Sequence, residues 1–178
     1  MNRTVIPINT EHDILPEWHG TPISDLLVYH NLNREHRRYD SAEMVIVCCM
    51  DPRKVLRIPD KFAYILRTGG GNPGRVQFEI SFAVAVGGAR AIAIIAHDDC
   101  GMDGLDNQRD TFIQGLVGAG WKHEDAQLHF DTNAPDFGTT DTVEYICTAT
   151  HRMKELYPNI TIAPLFYSIE DGRLHQIQ

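Results

Sequence analysis

From Met44 onward the chain alternates short, fully apolar runs with longer segments of helical character. Met44 to Cys48 (MVIVC) is continuous, apolar and rich in β-branched residues, the pattern of a strand covered on both faces. Phe62 to Leu66 (FAYIL), Ala91 to Ala96 (AIAIIA) and Ile160 to Tyr167 repeat it. Between these strands, Val76 to Val86 reads as a helix of small and apolar residues that Gly87 and Gly88 stop. Residues 106–117 read as a further helix. Asp141 with Glu144 makes a capping-box-like start to another, and Val143, Ile146, Thr150, Met153 and Leu156 follow its inner face until Pro158 closes it. Gly172 then turns the chain into a short edge strand, Arg173 to Ile177. Two stretches are less regular. Residues 22–38 look helical, with Leu26, Leu27 and Leu32 on a partial apolar face, after a loose lead-in over residues 1–20. Gly118 to Thr139 is polar and Gly-bearing, with a helical turn or two expected in KHEDAQLHF.

Strands alternating with helices predict an α/β fold: a mainly parallel central sheet of about four strands plus an edge strand, flanked by helices on both faces. No linker or repeat divides the chain, so a single domain over 1–178 is expected, with 1–40 as an N-terminal arm and helix and 44–178 as the core. In such sheets, sites collect at the carboxyl ends of strands.

A net charge of −8 argues against nucleic acid, whose phosphates need clustered Lys and Arg. The basic cluster Arg34 to Arg38 (REHRR) is short and fits a solvated helix face. No apolar run approaches the roughly 18–20 residues of a membrane span. The opening MNRTVIPINTEHD lacks a basic region followed by an apolar one, and a cytoplasmic protein is expected. Four cysteines, Cys48, Cys49, Cys100 and Cys147, then point to metal binding or burial rather than to disulfides.

Their neighbours decide between those uses. The first apolar strand runs straight into Cys49-Met50-Asp51-Pro52-Arg53, and the third into His97-Asp98-Asp99-Cys100-Gly101. Two thiolates and one imidazole therefore emerge at the same edge of the sheet. Sulfur and imidazole nitrogen are the preferred donors to zinc, which favours four-coordinate sites. No fourth Cys or His stands at matching spacing, so a position stays open, as in catalytic zinc sites. Cys48 should face the other side of its strand, because side chains alternate; Cys147, like Cys48, reads as a packing residue. Asp51, beside a ligand candidate, can either bind the metal itself or accept a hydrogen bond from water activated there. Arg53 can hold that carboxylate ionised and fixed in direction.

The combination of C-x-D-x-R, the loop Arg67-Thr68-Gly69-Gly70-Gly71 and H-x-x-C-G resembles the β-class carbonic anhydrases. The similarity runs from Met44 to Met102, with Ser81 and its apolar helix matching the helix before the family's third strand. It resumes loosely in the last helix and the PLFYSIEDGRLHQIQ ending, which is similar to a compact branch of that family. The resemblance implies one Zn2+ per chain on Cys49, His97 and Cys100, and a catalytic dyad of Asp51 and Arg53. It implies reversible hydration of carbon dioxide to bicarbonate, and an N-terminal arm lying across a partner subunit in a homodimer or larger assembly. Hydrolysis of CS2 or COS on the same zinc, and a zinc-bearing scaffold with little catalysis, stay open beside it. The sequence departs from the family's pattern at Pro52, at Thr68 and Gly69 (usually Asn and Ala), and at Asp98, which adds negative charge to the metal loop. His123 and His129 are candidate proton carriers.

Overall fold

The computed structural model describes residues 3–137 and 141–178; Gly138 and Thr139, the end of the polar stretch, lie outside them. Among the described residues six strands form one sheet: β1 (Val5–Pro7), β2 (Met44–Cys49), β3 (Ala63–Thr68), β4 (Ala91–His97), β5 (Thr161–Tyr167) and β6 (Leu174–Ile177). The helices are α1 (Pro22–Asn31), α2 (Gln77–Ala85), α3 (Arg109–Gly118), α4 (His123–Asn133) and α5 (Thr142–Leu156). The sheet order is β1-β6-β5-β4-β2-β3. Strands β3, β2, β4 and β5 are parallel, while β6 is antiparallel to β5 and β1 to β6.

The apolar runs explain the layering. Every residue of β2 and β4 is buried, as strands in the middle of a covered parallel sheet must be. Alternation splits their side chains between two cores. Ile46, Cys48, Ala93 and Ile95 pack with Ile14, Trp18, Leu26 and Leu27 on one face. Val45, Val47, Ile92 and Ile94 pack with Ile80 and Ala83 of α2 and Ile146 and Met153 of α5 on the other. A smaller cluster of Leu105, Ile113, Ala126, Phe130 and Ala134 joins α3 to α4.

Several expectations need correction. The first helix stops at Asn31 instead of 38, because Asn33 takes a left-handed φ of 56°, a conformation that ends helices. The REHRR cluster therefore lies outside the helix, with Arg34 paired to Glu11 and Arg37 to Asp25 and Glu43. The lead-in is not loose: Val5–Pro7 adds a strand and Ile8, Ile14 and Trp18 are buried. So β6 is an inner strand and the true edge beyond it is three residues long, too short to show a period. The polar stretch holds a full helix of 11 residues, α4, whose buried residues are Ala126 and Phe130 at i, i+4. Finally, the arm packs on its own chain. Leu26 and Leu27 are fully buried against this sheet, so α1 has no spare apolar face for a partner.

His30 ties this arm to the core. Its Nε2–H donates to the Gly172 carbonyl at 3.0 Å, and its Nδ1 accepts from the Arg57 backbone N–H at 3.0 Å. Both ring nitrogens are thus used by the neutral form, and burial pushes its pKa below the usual value of 6.5, with Arg173 and Arg57 adding to the effect against Asp171. The folded chain then binds fewer protons than the unfolded chain once pH falls through about 6.5, so this contribution is complete above that pH and lost below it. Urea denaturation at several pH values should show stability falling below about pH 6.5. His30→Gln, which keeps one donor and one acceptor, should flatten that fall; an equally steep fall in the variant would exclude His30 as its source.

Candidate metal centre

The parallel register delivers the ligand candidates. Cys48 pairs with Ile95 across β2 and β4, so Cys49 and His97 arrive together at the carboxyl ends of neighbouring strands. Cys100 returns from the tight loop after β4. The Cys49 and Cys100 sulfurs and one His97 ring nitrogen lie within 4.8 Å of one another, all three residues being buried. Such a group could hold a metal ion.

Each donor is oriented. His97 Nδ1–H donates to the Asp98 carbonyl at 2.7 Å, which fixes the tautomer and leaves Nε2 as a bare acceptor. That Nε2 is buried without a hydrogen-bond partner. The sulfurs sit 3.9 Å apart, within hydrogen-bond reach of each other, and form no disulfide. The hydrogen bond from Cys100 holds the Cys49 thiol well below the usual thiol range, and the same bond pushes Cys100 up. The pair gives its first proton easily and its second reluctantly. Cys48 packs on the α1 face, as alternation requires, and burial pushes its thiol up.

Glycines let the backbone close over this cluster. Gly71 has φ 73°, and a Cβ there would stand 3.0 Å from the Ile95 carbonyl and 3.5 Å from the Cys49 nitrogen. The 67–71 loop is thus pressed onto the ends of β2 and β4, and only glycine fits. Arg67 opens that loop and fastens its neighbour, donating to the carbonyls of Cys49 at 3.3 Å, Asp51 at 3.4 Å and Lys54 at 3.1 Å.

Asp51 and Arg53 form the expected pair. Arg53 donates to the carboxylate from its backbone N–H at 2.9 Å, from Nε at 3.0 Å and from Nη2 at 2.7 Å. The guanidinium hydrogen bonds hold the Asp51 carboxyl well below the usual range. Asp98, beside His97, is turned away from the Asp51–Arg53 pair. Its Oδ1 accepts the Ile169 N–H at 2.7 Å and faces the β5–β6 turn. Asp99 is turned towards the pair: its carboxylate and carbonyl both meet Arg53.

Two groups escaped the sequence reading. Asp99 gives no signal until the two loops are known to be adjacent. Lys54 follows the dyad, and a Lys beside a motif is ordinarily solvated. Here it is 2 % exposed and its Nζ has no hydrogen-bond partner. Burial pushes its pKa down, opposed by the thiols of Cys48, Cys49 and Cys100. Among the histidines, His129 lines a largely apolar cavity of about 380 Å³ together with Gly101 and Met102 of the metal loop. His123 stands exposed at the first turn of α4.

No protein-family model matches the chain, and no curated protein matches by sequence. Solved structures do match. A carbonic anhydrase from Glaciozyma antarctica shares 25% identity at a TM-score of 0.64, covering 78% of this chain and 84% of that one. A β-carbonic anhydrase from Trichomonas vaginalis shares 19% at a TM-score of 0.66, covering 82% and 88%. An apo carbon disulfide hydrolase shares 20% at a TM-score of 0.60, covering 76% and 78%. With its parallel sheet, its covering helices and its neighbours among solved structures, this chain has the fold of the β-class carbonic anhydrases.

Proposed function

We propose that this chain hydrates carbon dioxide reversibly to bicarbonate on one zinc ion held by Cys49, His97 and Cys100. The observation that carries the reading is the buried S, S, N donor trio with a clamped carboxylate in the same loop. The spacing fits zinc: two Zn–S bonds of about 2.3 Å at a tetrahedral angle set sulfurs roughly 3.8 Å apart, and here they are 3.9 Å apart. The partnerless His97 Nε2 supplies the third donor. Three protein donors leave a fourth position for the reaction. Zinc, when bound, supplies Lewis acidity that makes water a nucleophile near neutral pH.

The chain's own residues do the rest. An ionised carboxylate offers about four acceptor sites. Three N–H groups of Arg53 occupy most of them, so Asp51 retains room for about one more donor, the reacting water. Accepting that hydrogen bond points an oxygen lone pair at the carbon of CO2. Arg53, meanwhile, satisfies Asp51 and keeps it from the open position. His129 in its cavity beside Gly101 and Met102 is the better placed of the two proton-carrier candidates.

Zinc content should be about one per chain and should vanish in Cys49→Ala, His97→Ala and Cys100→Ala, while Cys48→Ala and Cys147→Ala keep it. Full zinc in Cys100→Ala, by plasma emission, would remove the assignment.

Arg53→Ala should keep zinc yet lower stopped-flow CO2 hydration by ~100-fold or more, and Asp51→Ala should do likewise. An unchanged rate in Arg53→Ala would show the pair to be a bystander. Hydrolysis of CS2 and COS runs on the same groups, and one structural neighbour is a carbon disulfide hydrolase. Turnover of the three substrates on one zinc-loaded preparation separates these activities; zinc with no turnover of any would mark a scaffold.

Self-association is also part of this proposal, on a different surface from the arm. Phe78 and Phe82 of α2 and Val86 at its C-cap form a stripe that is 82%, 54% and 72% exposed. Tyr64 of the edge strand β3 adjoins it, lying against Gly87. An apolar helix stripe beside an open strand edge is the profile of a covered surface. Sedimentation should give a dimer or larger species, and Phe78→Glu with Phe82→Glu should give monomer. A wild-type monomer at micromolar concentration would contradict it.

A further inference from the structure

We propose that Asp99 is a positioning residue for the Asp51–Arg53 pair, clamping the guanidinium from the opposite ligand loop. The inference rests on the catalytic reading above and names a third member of its machinery. Asp99 Oδ2 accepts from Arg53 Nη1 at 2.6 Å, and the Asp99 carbonyl accepts from Nη2 at 2.8 Å. Asp51 takes the other edge of the same guanidinium, through Nε and Nη2. Arg53 is planar, with five N–H donors in a fixed fork. Held on two edges, it has one orientation; held on one, it can swing about its flexible stem.

The backbone is shaped for this contact. Asp99 has φ 50°, left-handed, which is uncommon for a side-chain-bearing residue and is best tolerated by Asn and Asp. That conformation turns both its carbonyl and its carboxylate to Arg53, one residue before Cys100. Arg53 thus bridges the loop of Cys49 to the loop of Cys100, and the same guanidinium that aims Asp51 also spans the two halves of the ligand set.

An ordinary surface ion pair would predict little. The Asp99 side chain is 82% exposed, and exposed pairs contribute little to stability. The proposal concerns direction and not stability, and the two separate by experiment. Asp99→Gly keeps the left-handed backbone and deletes the carboxylate; Asp99→Asn keeps the backbone and one neutral acceptor oxygen.

Zinc content and thermal midpoint should match wild type in both. In zinc-loaded protein, 15N spectra of the Arg53 side chain should show separate, slowly exchanging Nη signals in wild type. These should merge through faster rotation in Asp99→Gly and stay partly resolved in Asp99→Asn. CO2 hydration should fall about 10-fold in Asp99→Gly, the usual scale for removing a partner that orients an active-site group. It should fall less in Asp99→Asn. Unchanged Arg53 signals in Asp99→Gly overturn the proposal, as does an unchanged rate alongside freed Arg53. Loss of zinc in both variants overturns it in favour of a purely structural loop. A wild type inert towards CO2 refutes the catalytic reading, while the spectra still decide whether Asp99 holds Arg53.

Discussion

Everything in the candidate site depends on the register between β2 and β4. Both strands are buried along their whole length, and a parallel pair slipped by one residue would exchange their faces. Side chains that fill the α1 core would then meet α2 and α5, and the reverse. The register that satisfies both cores pairs Cys48 with Ile95, and it brings Cys49 and His97 out at the same end. The placement of the donors is therefore a consequence of apolar packing. No interaction among the donors themselves is needed to bring the strands together, which lets a polar cluster be held by a fold that owes it nothing.

The second constraint is close approach. Carboxyl ends of parallel strands present unpaired carbonyls, and a loop that seals them must come within backbone contact. Gly71 against Ile95 is where that happens, and the loop is pinned by Arg67 to three carbonyls of the neighbouring segment. The Cys49-to-Lys54 segment is accordingly held at its start by the strand and along its length by a guanidinium. Arg67 plays no chemical part in the proposed reaction. It makes the Asp51–Arg53 segment stiff enough for a carboxylate to keep one direction.

These same constraints explain what the sequence made legible. Continuous apolar runs announce buried parallel strands, and donors placed directly after two such runs had to share an edge, whatever the helices did. Cys48 and Cys49 could be told apart because strand side chains alternate. Contacts across sequence-distant loops carry no such signal. Val5–Pro7 is a strand only because β6 lies beside it, and α4 is a helix whose inward face is two residues wide. Asp98 and Asp99 are neighbours with the same chemistry, yet one faces the β5–β6 turn and the other faces Arg53. A left-handed φ at Asp99 makes that difference, and no periodic pattern encodes it. The arm was misjudged for a related reason: an amphipathic helix shows that it must be covered, but not by which copy of the chain.

Lys54 shows how far the electrostatics of the site extend beyond its donors. A buried ammonium without a partner is costly, and burial alone would favour its neutral form. The three thiols around it oppose that, and in return a charge on Lys54 favours the thiolates of Cys48 and Cys49. Arg53 is already matched by Asp51 and Asp99, and Arg67 is spent on carbonyls. Of the three basic side chains clustered on this segment, Lys54 alone has no bonded partner among the described residues, and the groups that oppose its burial are thiols, two of them in the ligand trio.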